Sequence, residues 1–183
     1  MNEIKRQLVH GSGIIFSIMV ILNRELAFFI SFFTIIFLFL FAYFRTFIRK
    51  NKKIEKFIKD YERKEEAKFP FKGALYFFFS ISLSIILFPK NIASASIAVL
   101  SISDMLSTLV GIKYGKHKFY VNKYKSLEGS IIFFISCLLI LLFYTNFYNA
   151  LLISIITTCI EVFPYVNDNI SIPLTVGFLM IML

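Results

Sequence analysis

The stretch LAFFISFFTIIFLFLFAYF, from Leu26 to Phe44, has no charged side chain in 19 residues. A helix needs roughly 20 apolar residues to cross about 30 Å of hydrocarbon, so this stretch is long enough to span a membrane. Inside a bilayer every backbone polar group must be bonded within the protein, which favours helices. The apolar residues are continuous rather than alternating, which also favours a helix over a half-buried strand.

Similar apolar segments fill most of the chain, and 58% of its 183 residues are hydrophobic, against about 45–50% in soluble proteins. We therefore predict an all-α, polytopic transmembrane helix bundle in which residues 1–183 form a single membrane-embedded domain. Cys137 and Cys159 fall within apolar segments and are predicted to be small, buried, apolar side chains. The seven predicted spans are residues 7–22, 26–44, 71–88, 92–112, 127–143, 148–163 and 170–183.

The cationic residues are distributed unevenly between the loops. Of the 20 Lys and Arg residues, eleven lie in residues 45–72 and five in residues 113–125. Cytoplasmic loops of membrane proteins are enriched in Lys and Arg, so the N-terminus is predicted to be cytoplasmic. The net charge of +9 then reflects these loops rather than a nucleic-acid partner. The expected location is the cell membrane, with membrane lipids as surroundings.

The basic segment at residues 45–72 has helical periodicity. Its apolar residues Ile54, Phe57, Ile58 and Tyr61 are spaced at i, i+3, i+4 and i+7. Lys and Glu surround them, which is typical of an amphipathic helix lying on an anionic membrane surface. A substrate gate built from the same helix is the alternative.

One acid lies inside a predicted span. Asp104 is far from both ends of residues 92–112, where an aspartate costs roughly 2.5–3.5 kcal/mol, so it should face protein or water. It shares a helical face with small and polar residues: Ser101, Ser107, Thr108 and Gly111. The face is either a packing surface with one hydrogen-bonded acid or a site for ion coordination or proton relay.

Two further acids flank the loop before the last segment. Glu161 and Asp168 are seven residues apart, and they share a face if the helix continues past Pro164, which is unfavourable inside a helix. Asp168 alone is explained by turn formation. Together with Glu161 on the same side of the membrane, it is a candidate site residue.

The loop after the fourth segment combines glycine and lysine. Gly111, Gly115 and Gly129 allow a backbone to approach a phosphate closely, and Lys116 and Lys125 supply positive charge. The spacing is not that of a Walker loop, because the first two glycines have three residues between them instead of four. The interpretations that remain are a phosphate site and a positive-inside loop followed by a helix cap.

Three more residues complete the candidate site. Ser126 can cap the fifth helix, whose N-terminus favours anions, and Glu128 near it can hold a divalent ion that bridges phosphates. Lys72 opens the third segment from the same side, where a lysine that extends to the membrane surface is the simpler interpretation. By the predicted topology, all these groups face the cytoplasm, where nucleotide is available.

Together the motifs resemble the CTP-dependent lipid kinases, which include dolichol kinase, phytol kinase and a CTP-dependent diacylglycerol kinase, in a small form of prokaryotic or archaeal type. The element Lys-Ser-x-Glu-Gly, combined with the intramembrane Asp and the Asp-Asn-x3-Pro turn, is the most specific part. The matching motifs are RQLVHG (residues 6–11), FPFKG (69–73), SDMLSTLVG (103–111) with GK (115–116), KSLEGS (125–130), and Glu161 followed by DNISIP (168–173).

The resemblance implies that CTP donates its terminal phosphate to the hydroxyl of a membrane isoprenoid alcohol, such as dolichol, another polyprenol or geranylgeraniol. It implies Mg²⁺ bound by Asp104, Glu128 and Asp168. Glu161 or Asp104 then orients or deprotonates the alcohol, and Lys125 acts on the phosphates. The remaining groups implied to bind nucleotide are Lys72, Gly111, Gly115, Lys116, Ser126, Glu128 and Gly129.

Three other functions fit the same residues. Two are enzymes: a CTP-dependent diacylglycerol kinase, and a cytidylyltransferase acting on a lipid phosphate, which releases pyrophosphate. The third is a small ion-coupled transporter that uses Asp104 and Glu161 as a relay. The combination of glycines and lysines in one loop favours an enzyme.

Overall fold

The computed structural model describes residues 3–48, 71–163 and 167–183, and the regular secondary structure of these residues is helical. The all-α prediction is confirmed for this part of the chain. The predicted interfacial helix around residues 54–61 lies outside it. The helices are α1 (Glu3–Gly11), α2 (Ile14–Leu22), α3 (Arg24–Ile48), α4 (Lys72–Leu87), α5 (Lys90–Ala98), a π-helical turn (Val99–Ser103), α6 (Asp104–Tyr114), α7 (Leu127–Leu141), α8 (Phe147–Val162) and α9 (Asp168–Met182).

Two of the described helices are long and apolar enough to cross a membrane. One is Arg24–Phe44 within α3, and the other is Lys90–Tyr114, in which α5, the π-turn and α6 are continuous. The other apolar helices in the described ranges have 10–17 residues. Length and composition therefore give two candidate spans among the described residues, and the seven spans that the sequence predicts stay a prediction.

The interior of the bundle holds small side chains together with large apolar ones, and further large apolar side chains lie on its outer surface. Ala93, Ile97 and Leu100 of the central helix are fully buried, whereas Phe33 and Phe37 of α3 are more than half exposed. Small residues between helices allow close backbone approach, as is typical of helices that pack within lipid. The exposed phenylalanines form the kind of apolar surface that marks contact with a membrane or a partner.

Buried serine hydroxyls connect the helices in pairs. Ser17 of α2 and Ser94 of α5 lie 2.9 Å apart through their Oγ atoms, and Ser94 is also 2.9 Å from the Tyr144 hydroxyl. Ser31 of α3 and Ser82 of α4 are joined in the same way at 2.8 Å. Such bonds between helices satisfy buried polar groups and fix the helix pairs.

Arg24 caps a helix at the end of the bundle opposite the candidate site. Its guanidinium group donates hydrogen bonds to the carbonyls of Ile85 and Phe88 at the C-terminal end of α4. The last carbonyls of a helix lack partners within the helix and carry partial negative charge. Arg24 therefore acts as a side-chain cap for α4.

The π-helical turn lies directly before Asp104. A π-turn adds a residue to the helical repeat, and such turns are frequent at functional sites. Here it sets the rotation of α6 relative to α5, and so the direction in which Asp104 projects. The Ser101 and Ser103 hydroxyls within the turn are buried and have no hydrogen-bond partner among the described residues.

The loop after α6 returns directly to the start of α7. Ser126 caps α7, because its Oγ accepts a hydrogen bond from the Gly129 amide at 3.3 Å, and the predicted cap is confirmed. The Leu127 amide donates to the His117 carbonyl at 2.9 Å, which fixes the loop against the helix.

Gly129 is the point of closest approach between α6 and α7. A Cβ atom at this position would lie 2.8 Å from the Ser107 carbonyl oxygen, whereas at Gly111 the nearest atom is the Ser126 hydroxyl at 3.2 Å. We expect Gly129→Ala to lower the free energy of unfolding by about 1–3 kcal/mol through overpacking. The matched control Gly111→Ala should be nearly neutral, because the side-chain hydroxyl can move. Equal stability of the two variants in thermal unfolding would contradict this packing.

The two cysteines differ in environment. Cys137 is buried in the core, as predicted, but Cys159 is exposed on α8, so the prediction for Cys159 is wrong. An apolar segment without a polar face does not reveal which side chains point outward. An apolar side chain can face lipid without a free-energy penalty. The sequence therefore does not show which of the two cysteines is buried.

Candidate active site

Four residues that the sequence singles out meet at one end of the bundle. Asp104 begins α6, Lys125 precedes α7, Glu161 lies in the last turn of α8, and Asp168 begins α9. The Lys125 Nζ atom lies 2.5 Å from Glu161 Oε1, 2.8 Å from Asp168 Oδ2 and 3.6 Å from Asp104 Oδ1. One ammonium group therefore joins three carboxylates that are remote in sequence. We refer to these four residues as the ion cluster.

Glu161 is the most enclosed member of the ion cluster. Its side chain is fully buried, and Oε1 accepts a hydrogen bond from Ser107 Oγ at 2.9 Å in addition to that from Lys125. Oε2 accepts one from Ser130 Oγ at 3.0 Å. A buried carboxylate needs such donors, because an unpaired buried charge is strongly unfavourable. Glu161 is therefore held rigidly between α6, α7 and α8.

His10 extends the cluster toward α1. Its Nε2 atom lies 3.4 Å from Asp104 Oδ2 and 3.2 Å from the Leu100 carbonyl oxygen. The imidazole ring also packs on Phe77, with ring centroids 4.4 Å apart. His10 thus fixes the second oxygen of Asp104, while Lys125 approaches the first.

Sequence reasoning missed three members of this site. His10, Ser107 and Ser130 all contact a carboxylate of the ion cluster, yet none was singled out as a site residue. Each did carry a signal. His10 belongs to the RQLVHG motif, Ser107 shares the polar face of Asp104, and Ser130 ends the motif KSLEGS.

The carboxylates of the ion cluster outnumber its single ammonium group. Burial alone lowers the pKa of the Lys125 ammonium group, but the carboxylates of Asp104, Asp168 and Glu161 outweigh burial and raise that pKa above the ordinary lysine value. Lys125 therefore stays protonated at every physiological pH. Three carboxylates against one ammonium group leave two formal negative charges, and a divalent cation is the simplest complement to them.

The acids of the ion cluster do not form a ready metal site, and Mg²⁺ binding stays a prediction. Within the described residues, no three His, Cys, Asp or Glu side chains already form a metal cage, because Lys125 occupies the centre of the acids. Mg²⁺ commonly uses only one or two carboxylates and takes its other ligands from water and substrate phosphates. Of the three acids, Asp104 and Asp168 are more exposed than Glu161 and are the two that such a site would use.

Glu128 makes its contacts elsewhere, in the loop before α7. Its Oε1 atom lies 2.7 Å from His117 Nδ1 and accepts hydrogen bonds from the backbone amides of Lys116 and His117 at 3.1 and 3.2 Å. In the described structure its contacts are therefore with the loop, while those of Asp104 and Asp168 are with Lys125. The predicted metal set of Asp104, Glu128 and Asp168 thus lies at two separate places.

The glycines of the loop pack closely around one hydroxyl. A Cβ atom on Gly111, Gly115 or Gly129 would lie 3.2, 2.5 or 3.3 Å from Ser126 Oγ. These residues therefore allow α6, the loop and α7 to approach one another, which accounts for them without a ligand. The same close packing brings the N-terminus of α7 to the edge of the ion cluster, next to Lys125.

Lys72 lies at the start of α4, where its ammonium group is 5.7 Å from the centre of the Tyr76 ring. The adjacent Gly73 carbonyl accepts a hydrogen bond from the Asn169 side chain at 3.1 Å. The start of α4 therefore lies beside the start of α9. Lys72 belongs to this end of the bundle, and the contact that the structure records for its ammonium group is with Tyr76.

Comparison with known proteins identifies one relative that matches almost the whole chain. The uncharacterized protein RP860 of Rickettsia prowazekii is 33% identical over 94% of this chain and 90% of its own length. No protein-family model matches the chain, and no solved structure matches it.

Plant phytol kinases match part of the chain. A probable chloroplastic phytol kinase of Zea mays is 27% identical over 66% of this chain and 46% of its own length. A second, from Glycine max, is 28% identical over 56% of this chain and 42% of its own length. The chain thus spans less than half the length of these plant relatives. The similarity is distant and partial, and it points to lipid kinases in general terms.

Proposed function

The chain belongs to the same family as the Rickettsia prowazekii protein RP860, and we propose that it is a CTP-dependent kinase that phosphorylates the hydroxyl group of a membrane isoprenoid alcohol of the dolichol, polyprenol or geranylgeraniol type. The observation that carries the proposal is the ion cluster, in which Lys125 contacts Asp104, Glu161 and Asp168. The partial similarity to phytol kinases supports a prenol as acceptor.

In the proposed reaction, the alcohol oxygen attacks the terminal phosphorus of CTP. The bond from that phosphorus to the bridging oxygen breaks, the hydroxyl proton passes to the carboxylate of Asp104 or Glu161, and lipid monophosphate and CDP leave. Phosphoryl transfer depends mainly on positioning and on stabilisation of charge. Mg²⁺, held by Asp104 and Asp168, would neutralise phosphate charge.

Lys125 has a second task in this proposal. It holds the three carboxylates together in the free protein, and it can share its ammonium hydrogens with phosphate oxygens once nucleotide arrives. Lys116 and the capped N-terminus of α7 add donors for the phosphates. We assign Glu128 to the shape of this loop, because its carboxylate accepts hydrogen bonds from Lys116 and His117.

We further propose that the chain is an integral membrane protein of seven spans with the ion cluster on the cytoplasmic side. The distribution of Lys and Arg supports this orientation. The large exposed apolar side chains, such as Phe33 and Phe37, support contact with lipid. With this orientation the cluster lies near the inner leaflet, where a water-soluble nucleotide and a lipid hydroxyl can meet.

A labelled-nucleotide panel tests the proposal. Purified protein in nanodiscs is incubated with Mg²⁺ and each of CTP, ATP, GTP and UTP, against geranylgeraniol, phytol, dolichol and diacylglycerol. We expect the terminal phosphate of CTP to appear on a prenol, with CDP as the second product, and the lipid product to be identified by mass.

Other results of the same panel would overturn the proposal. Release of pyrophosphate, with transfer of the CMP moiety to a lipid phosphate added to the panel, would identify a cytidylyltransferase. Transfer to diacylglycerol but to no prenol would identify a diacylglycerol kinase. Absence of nucleotide consumption, together with ion-dependent flux in liposomes, would identify a transporter.

A further inference from the structure

A tight turn carries Lys125 into the ion cluster. In residues 122–125, the Lys125 amide donates a hydrogen bond to the Asn122 carbonyl at 3.1 Å. Asparagine is favoured at the first position of such turns, because its side chain can bond to the backbone two residues further on. Here Asn122 Oδ1 accepts a hydrogen bond from the Tyr124 amide at 3.2 Å. We refer to these four residues as the lysine turn.

The nitrogen of the Asn122 side chain reaches a different helix. Asn122 Nδ2 donates a hydrogen bond to the Val162 carbonyl at 3.1 Å. Val162 is the last residue of α8 and directly follows Glu161. A carbonyl in the last turn of a helix lacks a partner within that helix. Asn122 therefore supplies the donor that α8 itself cannot provide, next to the most buried acid of the ion cluster.

The two contacts of the Asn122 amide determine its orientation. Its oxygen faces the N–H group of Tyr124, and its nitrogen faces the carbonyl of Val162. Rotating the amide by half a turn would place nitrogen against N–H and oxygen against carbonyl, so both hydrogen bonds would be lost. An ionised aspartate accepts hydrogen bonds but has none to donate. Asparagine at this position therefore makes a pair of contacts of which aspartate can make only one.

Two side-chain contacts therefore join the lysine turn to the end of α8. One is the ion pair of Lys125 Nζ with Glu161 Oε1 at 2.5 Å. The other is the neutral hydrogen bond from Asn122 to Val162, which lies three residues before Lys125 and one residue after Glu161. The ion pair weakens if the ammonium group shares its hydrogens with a phosphate. The neutral hydrogen bond does not depend on that exchange.

We propose that Asn122 is a positioning residue, which holds the lysine turn against the end of α8 and keeps Lys125 in place while its ammonium group is shared with a nucleotide phosphate. Asn122 acts through Lys125 and touches no reacting atom. The role during nucleotide binding rests on the proposed kinase function. The placement of Lys125 in the free protein does not, and it is tested separately.

Acetylation of lysine side chains tests the placement of Lys125 without any activity. The full chain in nanodiscs, without nucleotide, is treated with acetic anhydride, and the rate at each lysine is followed by mass spectrometry. Lys125 is mostly buried and should react slowly in the parent protein. We expect Asn122→Ala to raise the rate at Lys125 several-fold. The rate at Lys123, which is already exposed in the same turn, should not change.

Asn149 provides a matched control at the opposite end of α8. Its Nδ2 atom donates to the Leu183 carbonyl at 3.1 Å, so the contact is of the same kind and length as that of Asn122. Asn149→Ala removes this hydrogen bond away from the ion cluster. We expect the acetylation rate at Lys125 in this variant to equal that of the parent protein.

Steady-state kinetics test the role during nucleotide binding. Asn122→Ala should raise KM for CTP by about three- to tenfold, the effect of one lost hydrogen bond, and should leave KM for the prenol unchanged. A purely structural role would lower the amount of folded protein, and so the apparent kcat, without a change in KM. Asn122→Asp keeps the acceptor for Tyr124 but cannot donate to Val162, and it should raise KM for CTP as Asn122→Ala does.

The outcomes separate this inference from the proposed function. An unchanged acetylation rate at Lys125 in Asn122→Ala, in a protein that phosphorylates prenols, would overturn the positioning role while the kinase proposal stands. Faster acetylation in a protein that consumes no nucleotide would support the placement of Lys125 and overturn the kinase proposal. Faster acetylation with an unchanged KM for CTP would overturn the role during nucleotide binding. Parent-like behaviour of Asn122→Asp in both measurements would overturn the contact with Val162 as the cause.

Discussion

Replacing Asp104 by asparagine is expected to lower the kcat for prenol phosphorylation about 10²–10³-fold, the size of effect seen when a group that stabilises a charged transition state is removed. Asparagine keeps the size of the side chain but loses the charge that approaches His10 and Lys125 and that would hold Mg²⁺. The fold should survive, because Asp104→Asn removes one of three negative charges that share a single ammonium group. Turnover and the thermal unfolding midpoint are measured on the same preparation.

The control for Asp104 is an acid at the other end of the bundle. Glu25 lies in the first turn of α3 and is exposed, so Glu25→Gln removes the same charge without touching the site. Its turnover should equal that of the parent protein. Near-normal turnover of Asp104→Asn would remove Asp104 from the mechanism, and a loss of fold in that variant would show that its charge is structural.

Replacing Lys125 by methionine should have the largest combined effect, because both activity and stability depend on this side chain. Its ammonium group is the shared partner of Asp104, Glu161 and Asp168. Removing one partner of a buried ion pair typically costs about 3–5 kcal/mol, since a charge is left uncompensated. We therefore expect a clear fall in the unfolding midpoint and no measurable kinase activity.

Lys123 offers a matched control, because it lies in the same loop but is exposed. Lys123→Met should retain both stability and turnover. The double variant Lys125→Met with Glu161→Gln should recover part of the lost stability, since it removes the most buried of the unpaired carboxylates, and should remain inactive. If Lys125→Met were as stable as the parent protein, the ion cluster would not contribute to the stability of the fold. The proposal that Lys125 holds the three carboxylates together would then be wrong.

Much of the candidate site could be chosen from the sequence because charges are rare inside apolar segments. Asp104 and Glu161 stand out for that reason, and the positive-inside pattern assigns them, with Lys125 and Asp168, to one side of the predicted bundle. The structure brings these four residues into contact. Their catalytic roles stay predictions that the variants above test.

The sequence did not predict which side chains contact one another at that end of the bundle. Glu128 stands out in the sequence as much as Glu161 does. Its partners, however, are His117 and two backbone amides of its own loop. His10 reaches Asp104 only because α1 packs against the π-turn and α6. Such contacts depend on helix rotation, and helices that are apolar on all sides carry no periodic signal of rotation.

The ion cluster also has a consequence for the order in which the protein assembles. Asp168 belongs to α9, the last of the described helices, whereas Lys125 is made 43 residues earlier. Until α9 docks, the lysine can neutralise only Asp104 and Glu161, and the arrangement that joins four distant parts of the chain is incomplete. During biosynthesis this centre therefore forms only after α9 has been made, so under the proposed function a chain that stops before α9 should not consume nucleotide.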